Sequence, residues 1–129
     1  MAMQIKKSAL APSPKAKPQK DRDYLSFIHR LPCVVTGIFG VEAAHISFAN
    51  RAFCHYGRAK GTKAADRWTL PLISAEHTRQ HQVGEEAYWR SKGIDPHALA
   101  VTLYGLWTEL GDDAEQFCIE RIQQRRSSR

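Results

Sequence analysis

The chain has 129 residues, enough for one domain with a modest core. With 43% hydrophobic and 25% charged residues it has the make-up of a soluble globular protein, and no apolar run approaches the roughly 18 residues a membrane span needs. Its formal charge is +6, but residues 1–22 are net +5 and residues 121–129 net +4, so the stretch between them is acidic. Basic arms suit a polyanion, since each phosphate contact releases condensed counterions, although solubilising tails fit the charge equally well. Three cysteines, Cys33, Cys54 and Cys118, form no CxxC pair, which excludes a four-cysteine zinc site. With an odd cysteine count and no apolar leader, the expected location is the cytoplasm.

In chain order, Pro12, Pro14 and Pro18 among Lys, Ser, Ala and Gln make residues 1–22 a disordered basic arm. Residues 23–110 read as one domain, and residues 111–129 as a C-terminal helix with a basic tail. Asp23 is expected to cap a short helix that Pro32 ends. The runs Cys33–Thr36 and Val41–Ser47, separated by Gly37 and Gly40, predict a β-hairpin. Residues 49–65 show no periodicity and carry a basic cluster, which predicts a long functional loop. Ser74 then caps a helix running from about Ala75 to Ser91 and closed by Gly93. Asp95-Pro96 is a strong helix start, with Leu99, Leu103, Leu106 and Leu110 at helical spacing. Gly111-Asp112 breaks that helix, and Ala114, Cys118 and Ile122 line the last one.

Two features carry chemistry. His77 and His81 stand at i and i+4, so on a helix their rings point the same way and can grip one divalent cation; the alternative is two surface histidines at chance spacing. His45 faces away from Ile46 on a strand, so it faces away from the core and is placed to take a proton from water; alone, such a histidine is more often structural. Cys54 and Cys118 read as small hydrophobes in the core or near it, His29 and His97 as solvent-facing, and Trp68, Trp89 and Trp107 as core. His55 lies in the basic loop, within reach of phosphate but without a catalytic part.

Ala44-His45-Ile46, then Asp66, then His77 and His81, resembles the HNH or His-Me finger nuclease motif. Leu31–Gly37, Val41–Ser47, Asp66-Arg67-Trp68 and Glu85–Trp89 are similar to a phage and prophage group of small HNH proteins related to the RecA-dependent nuclease of phage P1. The resemblance covers roughly residues 23–107. It implies an α+β fold with a ββα-metal core, a short β-hairpin plus helix, and additional N- and C-terminal helices. It implies a metal-dependent endonuclease that hydrolyses phosphodiester bonds, with DNA as the expected substrate. His45 takes the place of the general base, Asp66 that of the residue orienting it, and His77 and His81 those of the metal ligands. One cation, Mg²⁺, Mn²⁺ or Zn²⁺, would sit there. Arg51, Arg58, Lys60, Lys63 and Arg67 would contact flanking phosphates, which position the strand without reading bases.

Two departures stand out. Many relatives carry a further ligand immediately before the base, where this chain has Ala44, so the metal would have two protein ligands or take a third from Asp66 or Glu42. Many also hold a structural zinc at four places that here are Cys33, Thr36, Ile73 and Glu76, which predicts its absence. The rival readings are a nucleic-acid-binding module without catalysis and a phage recombination adaptor whose basic arms bind a recombinase filament; none of the readings involves a membrane.

Overall fold

The computed structural model describes residues 21–57 and 64–127. The expected basic arm up to residue 20 therefore lies outside the described residues, as do Arg58, Lys60 and Lys63. The architecture is α+β: helix α1 (Arg22–Ile28), strand β1 (Glu42–His45), a 3₁₀ turn (Arg51–Phe53), strand β2 (Thr69–Leu72), then α2 (Ser74–Val83), α3 (Glu85–Lys92), α4 (Pro96–Leu110) and, after a 3₁₀ turn, α5 (Ala114–Ser127). Among the described residues no helix is long and apolar enough to cross a membrane.

The two strands pair antiparallel, Glu42 with Leu72 through His45 with Thr69. The expected hairpin between 33–36 and 41–47 does not form. Residues 33–38 spend their hydrogen bonds on one another: Gly37 N–H donates to the Cys33 carbonyl (2.8 Å) and Cys33 N–H to the Ile38 carbonyl (2.9 Å). Thr36 N–H points at the Cys33 sulfur (3.4 Å), and Gly37 holds φ +78°, a left-handed conformation that favours glycine. What survives of strand character is one bond from Val34 N–H to the Pro71 carbonyl (3.1 Å). That contact also places Pro71 on the β2 edge away from β1, where its missing N–H costs no ladder bond.

The expected single helix over 75–91 is two. Gly84 adopts φ 102°, ψ 134°, far from helical values, so α2 stops at Val83 and α3 restarts at Glu85. The start of α2 also differs, with Ile73 rather than Ser74 as the capping residue and no side-chain cap. Tyr88 and Lys92 of α3 tie back to Glu76 of α2, through an O–H···O bond of 2.6 Å and an ion pair at 3.9 Å. Burial first, then the bond to Glu76, pushes the Tyr88 phenol well above its ordinary range, so it stays a donor. At α1 the cap is Asp21, whose side chain accepts Tyr24 N–H (3.0 Å), not Asp23. Asp95 caps α4 through Ala98 N–H (3.1 Å), with Pro96 in the first turn as expected.

One core unites these pieces. Tyr24, Phe27 and Ile28 of α1, Ala44 of β1, Leu70 and Leu72 of β2, Tyr88 and Trp89 of α3, Leu99 and Leu103 of α4, and Ala114, Cys118 and Ile122 of α5 are all buried in it. Burial lifts the Cys118 thiol to about 11, so it behaves as a small hydrophobe. Trp68 and Trp89 are core residues as expected, and Trp107 packs half-buried against Tyr24 and Phe27 of that core.

Candidate functional site

Strand β1 presents its chemistry by alternation. Ladder partners share a face, so Ala44 looks with Leu70 into the core, while His45 looks with Thr69 to the other side. The loop entering β2 brings Asp66 to meet it: His45 Nε2 lies 2.8 Å from Asp66 Oδ1. The other carboxylate oxygen, Oδ2, accepts Asp21 N–H at 2.7 Å, and Thr69 Oγ1 donates to the Asp66 carbonyl at 2.6 Å. Asp66 is thus held at both ends. An ionised carboxylate only accepts, so Nε2 of His45 carries the proton and Nδ1 keeps its lone pair. The side chains of His45 and Asp66 are 18% and 12% exposed, enough for a small group to reach the pair from outside.

A second polar pair sits at the start of β1. His77 and His81 lie one turn apart on α2, their rings tilted by 37° with centroids 5.0 Å apart. His77 Nδ1 lies 2.8 Å from Glu42 Oε1. A carboxylate behind one imidazole nitrogen fixes the tautomer and turns Nε2 outward as a lone pair, the arrangement found behind metal-binding histidines. Of the two residues weighed as a third ligand, Asp66 is committed to His45 and Glu42 stands beside His77. Among the described residues no three His, Cys, Asp or Glu side chains converge as a metal cluster. The donor set therefore fits a cation held by two imidazoles, with Glu42 orienting one of them. Phosphate and water oxygens would complete the shell.

Of the basic residues, Arg51 and Arg67 are described, and both are exposed. The Arg67 guanidinium lies over the Trp68 ring, 5.2 Å from its centroid.

Several expectations need correcting here. His97 is buried, not solvent-facing, with Nε2 donating to the Phe48 carbonyl (2.9 Å); burial lowers its pKa, so it is a neutral structural imidazole. His55 is buried too. It accepts Gly57 N–H at Nδ1 (3.0 Å) and donates from Nε2 to the Ile46 carbonyl (2.7 Å), stacked 4.7 Å from Trp68. Both rings serve to clamp residues 46–57, and Asn50 and His55 close that segment with a backbone bridge. Residues 49–57 of the expected loop are therefore held in place. Cys54 is exposed rather than core, in a left-handed conformation at φ 60°. His29 is exposed, as expected. Sequence reasoning missed Asp21, whose backbone N–H anchors Asp66; no motif marks a residue that acts through its main chain.

At the four positions weighed for a structural zinc, the Cys33 sulfur accepts Thr36 N–H, Ile73 is half-buried at the head of α2, and Glu76 accepts the Tyr88 hydroxyl. No curated protein and no solved structure matches the chain. A family model described as "Protein of unknown function (DUF968)" matches residues 7–104, and the chain belongs to that family.

Proposed function

We propose that the chain is a metal-dependent endonuclease of the HNH type that hydrolyses phosphodiester bonds, with DNA as substrate. The observation that carries this reading is the His45–Asp66 pair, 2.8 Å apart and locked from behind by Asp21 N–H. His45 Nδ1 takes the proton from an attacking water. Asp66 holds the ring in that tautomer and stabilises the imidazolium that forms, as a carboxylate does for a catalytic histidine. His77 and His81 hold a divalent cation, which when bound supplies positive charge for the phosphate. Glu42 keeps His77 turned to it. Arg51 and Arg67 contact backbone phosphates and so position the strand.

A second reading is a nucleic-acid-binding module without catalysis, or a phage recombination adaptor. It is favoured by Ala44, which stands where relatives carry a ligand and whose side chain is wholly buried in the core. Incubating supercoiled plasmid with Mg²⁺, Mn²⁺ or Zn²⁺ against EDTA separates the two. Cation-dependent nicking that His77→Ala abolishes supports the nuclease. DNA retained in a gel shift but never nicked under any cation supports the binding module.

A further inference from the structure

Two costly local features meet beside the His45–Asp66 pair. Gly105 sits inside the fifteen-residue helix α4, where glycine is disfavoured relative to alanine. Close packing does not require it, since a Cβ built there meets nothing within 4 Å. Cys54 is the described non-glycine residue with positive φ, a strained conformation that tends to collect at functional sites. Both line one cleft of about 240 Å³. Phe53 and Cys54 form one wall, Val101, Tyr104 and Gly105 of α4 the other, and Arg67 and Trp68 close the third side.

The volume is below the 300–1,000 Å³ usual for drug-sized ligands, so the cleft takes one planar group rather than a whole cofactor. Trp68 has His55 stacked on it and Arg67 over its ring, and His97 stacks on one face of Phe53, which leaves the other face of the half-buried Phe53 ring and the half-buried Tyr104 ring to receive a planar guest. Arg67 supplies a cation for a phosphate attached to that guest. The cleft is also wired to the site. The Tyr104 hydroxyl donates to Asp21 Oδ2 (3.4 Å), Asp21 N–H to Asp66 Oδ2 (2.7 Å), and Asp66 Oδ1 accepts from His45 (2.8 Å).

We infer that this cleft binds a single unstacked nucleobase of the substrate, stacked between Phe53 and Tyr104 with its phosphate on Arg67. The inference rests on the nucleic-acid reading above and deepens it. A base can enter a side cleft only when it is out of the duplex stack, so the preferred substrate is single-stranded or locally opened nucleic acid. Stacking on aromatic rings accepts any base, so little sequence preference follows.

The test is binding of fluorescein-labelled oligothymidine, and of a duplex of equal length, in EDTA so that cleavage plays no part. Gly105→Leu fills the cleft from α4, and Val101→Glu sets a negative charge at its mouth, where Val101 is 46% exposed. Each is expected to weaken single-strand binding by about tenfold or more while leaving duplex binding unchanged. In the wild type, oligothymidine but not duplex should slow alkylation of Cys54 by iodoacetamide, since Cys33 and Cys118 are buried. Single-strand affinity untouched in a Gly105→Leu protein that melts normally would overturn the inference. If that variant melts early, unchanged affinity in Val101→Glu, or no protection of Cys54, overturns it instead. Because cleavage is absent from the assay, the two proposals fail separately. Nicking by a protein whose filled cleft changes nothing removes the cleft alone. Cleft-dependent binding with no nicking under any cation removes the nuclease alone.

Discussion

Asp66→Asn separates an orienting carboxylate from a merely structural one. Asp66 accepts two bonds, from Asp21 N–H at 2.7 Å and from His45 Nε2 at 2.8 Å. The Asp21 donor is backbone and cannot reverse, so an asparagine must turn its carbonyl oxygen toward Asp21 and its NH₂ toward His45. His45 Nε2 then becomes an acceptor, and the ring proton moves to Nδ1, the nitrogen that must abstract a proton. Both hydrogen bonds survive, so the stability cost is small, about 1 kcal/mol from loss of charge assistance. The rate cost is that of a wrong tautomer, on the order of 10²–10⁴-fold. Histidine side-chain ¹⁵N spectra should show an Nε2–H for His45 in the wild type and an Nδ1–H in the variant, and plasmid nicking should fall with DNA affinity and melting temperature nearly unchanged. Full nicking in Asp66→Asn, or an unchanged tautomer, would refute the reasoning.

Other consequences follow from single contacts. Burial lowers the pKa of His97, so below the unfolded value of about 6.5 the unfolded chain takes up a proton that the folded one refuses; stability therefore falls as pH drops, by up to about 1.4 kcal/mol per unit, until the lowered folded pKa is reached. Urea denaturation from neutral pH to about pH 5 should show this loss in the wild type and less of it in His97→Gln, and parallel curves would contradict it. Glu42→Ala frees the His77 ring and should weaken Zn²⁺ binding about 10- to 100-fold by calorimetry, with equal affinity denying Glu42 its orienting part. Gly105→Ala should stabilise the protein by about 0.5–1 kcal/mol and raise the melting temperature, whereas a lower one would mean the space over Gly105 is not open.

Local rules carried the helices. Asp95-Pro96 starts α4 as read, and Ala114, Cys118 and Ile122 form the buried face of α5, because capping and 3.6-residue periodicity are written within a few residues. Strand pairing was not legible, since β1 joins residues 69–72 across a long excursion and the nearer run, 33–36, satisfies itself in a turn. The break at Gly84 hid inside a helical pattern, where one glycine reads as tolerable until its φ is known. At the site, the sequence marked His45, Asp66, His77 and His81 individually. The His45–Asp66 distance and the Glu42–His77 contact depend on how the loop before β2 and helix α2 return to β1. His55 and His97 were misjudged for the same reason. Polar type suggested solvent, and the backbone carbonyls of Ile46 and Phe48 that bury them are set only by the fold.

The most direct test of the central claim is the cleavage rate of His45→Ala measured at matched occupancy on the same DNA. Removing the imidazole deletes the proton acceptor but no phosphate contact. Cation-dependent nicking should drop by about 10²–10⁴-fold with the dissociation constant for DNA unchanged. Nicking at the wild-type rate by His45→Ala would contradict His45 as the base and, with it, the nuclease site built around Asp66.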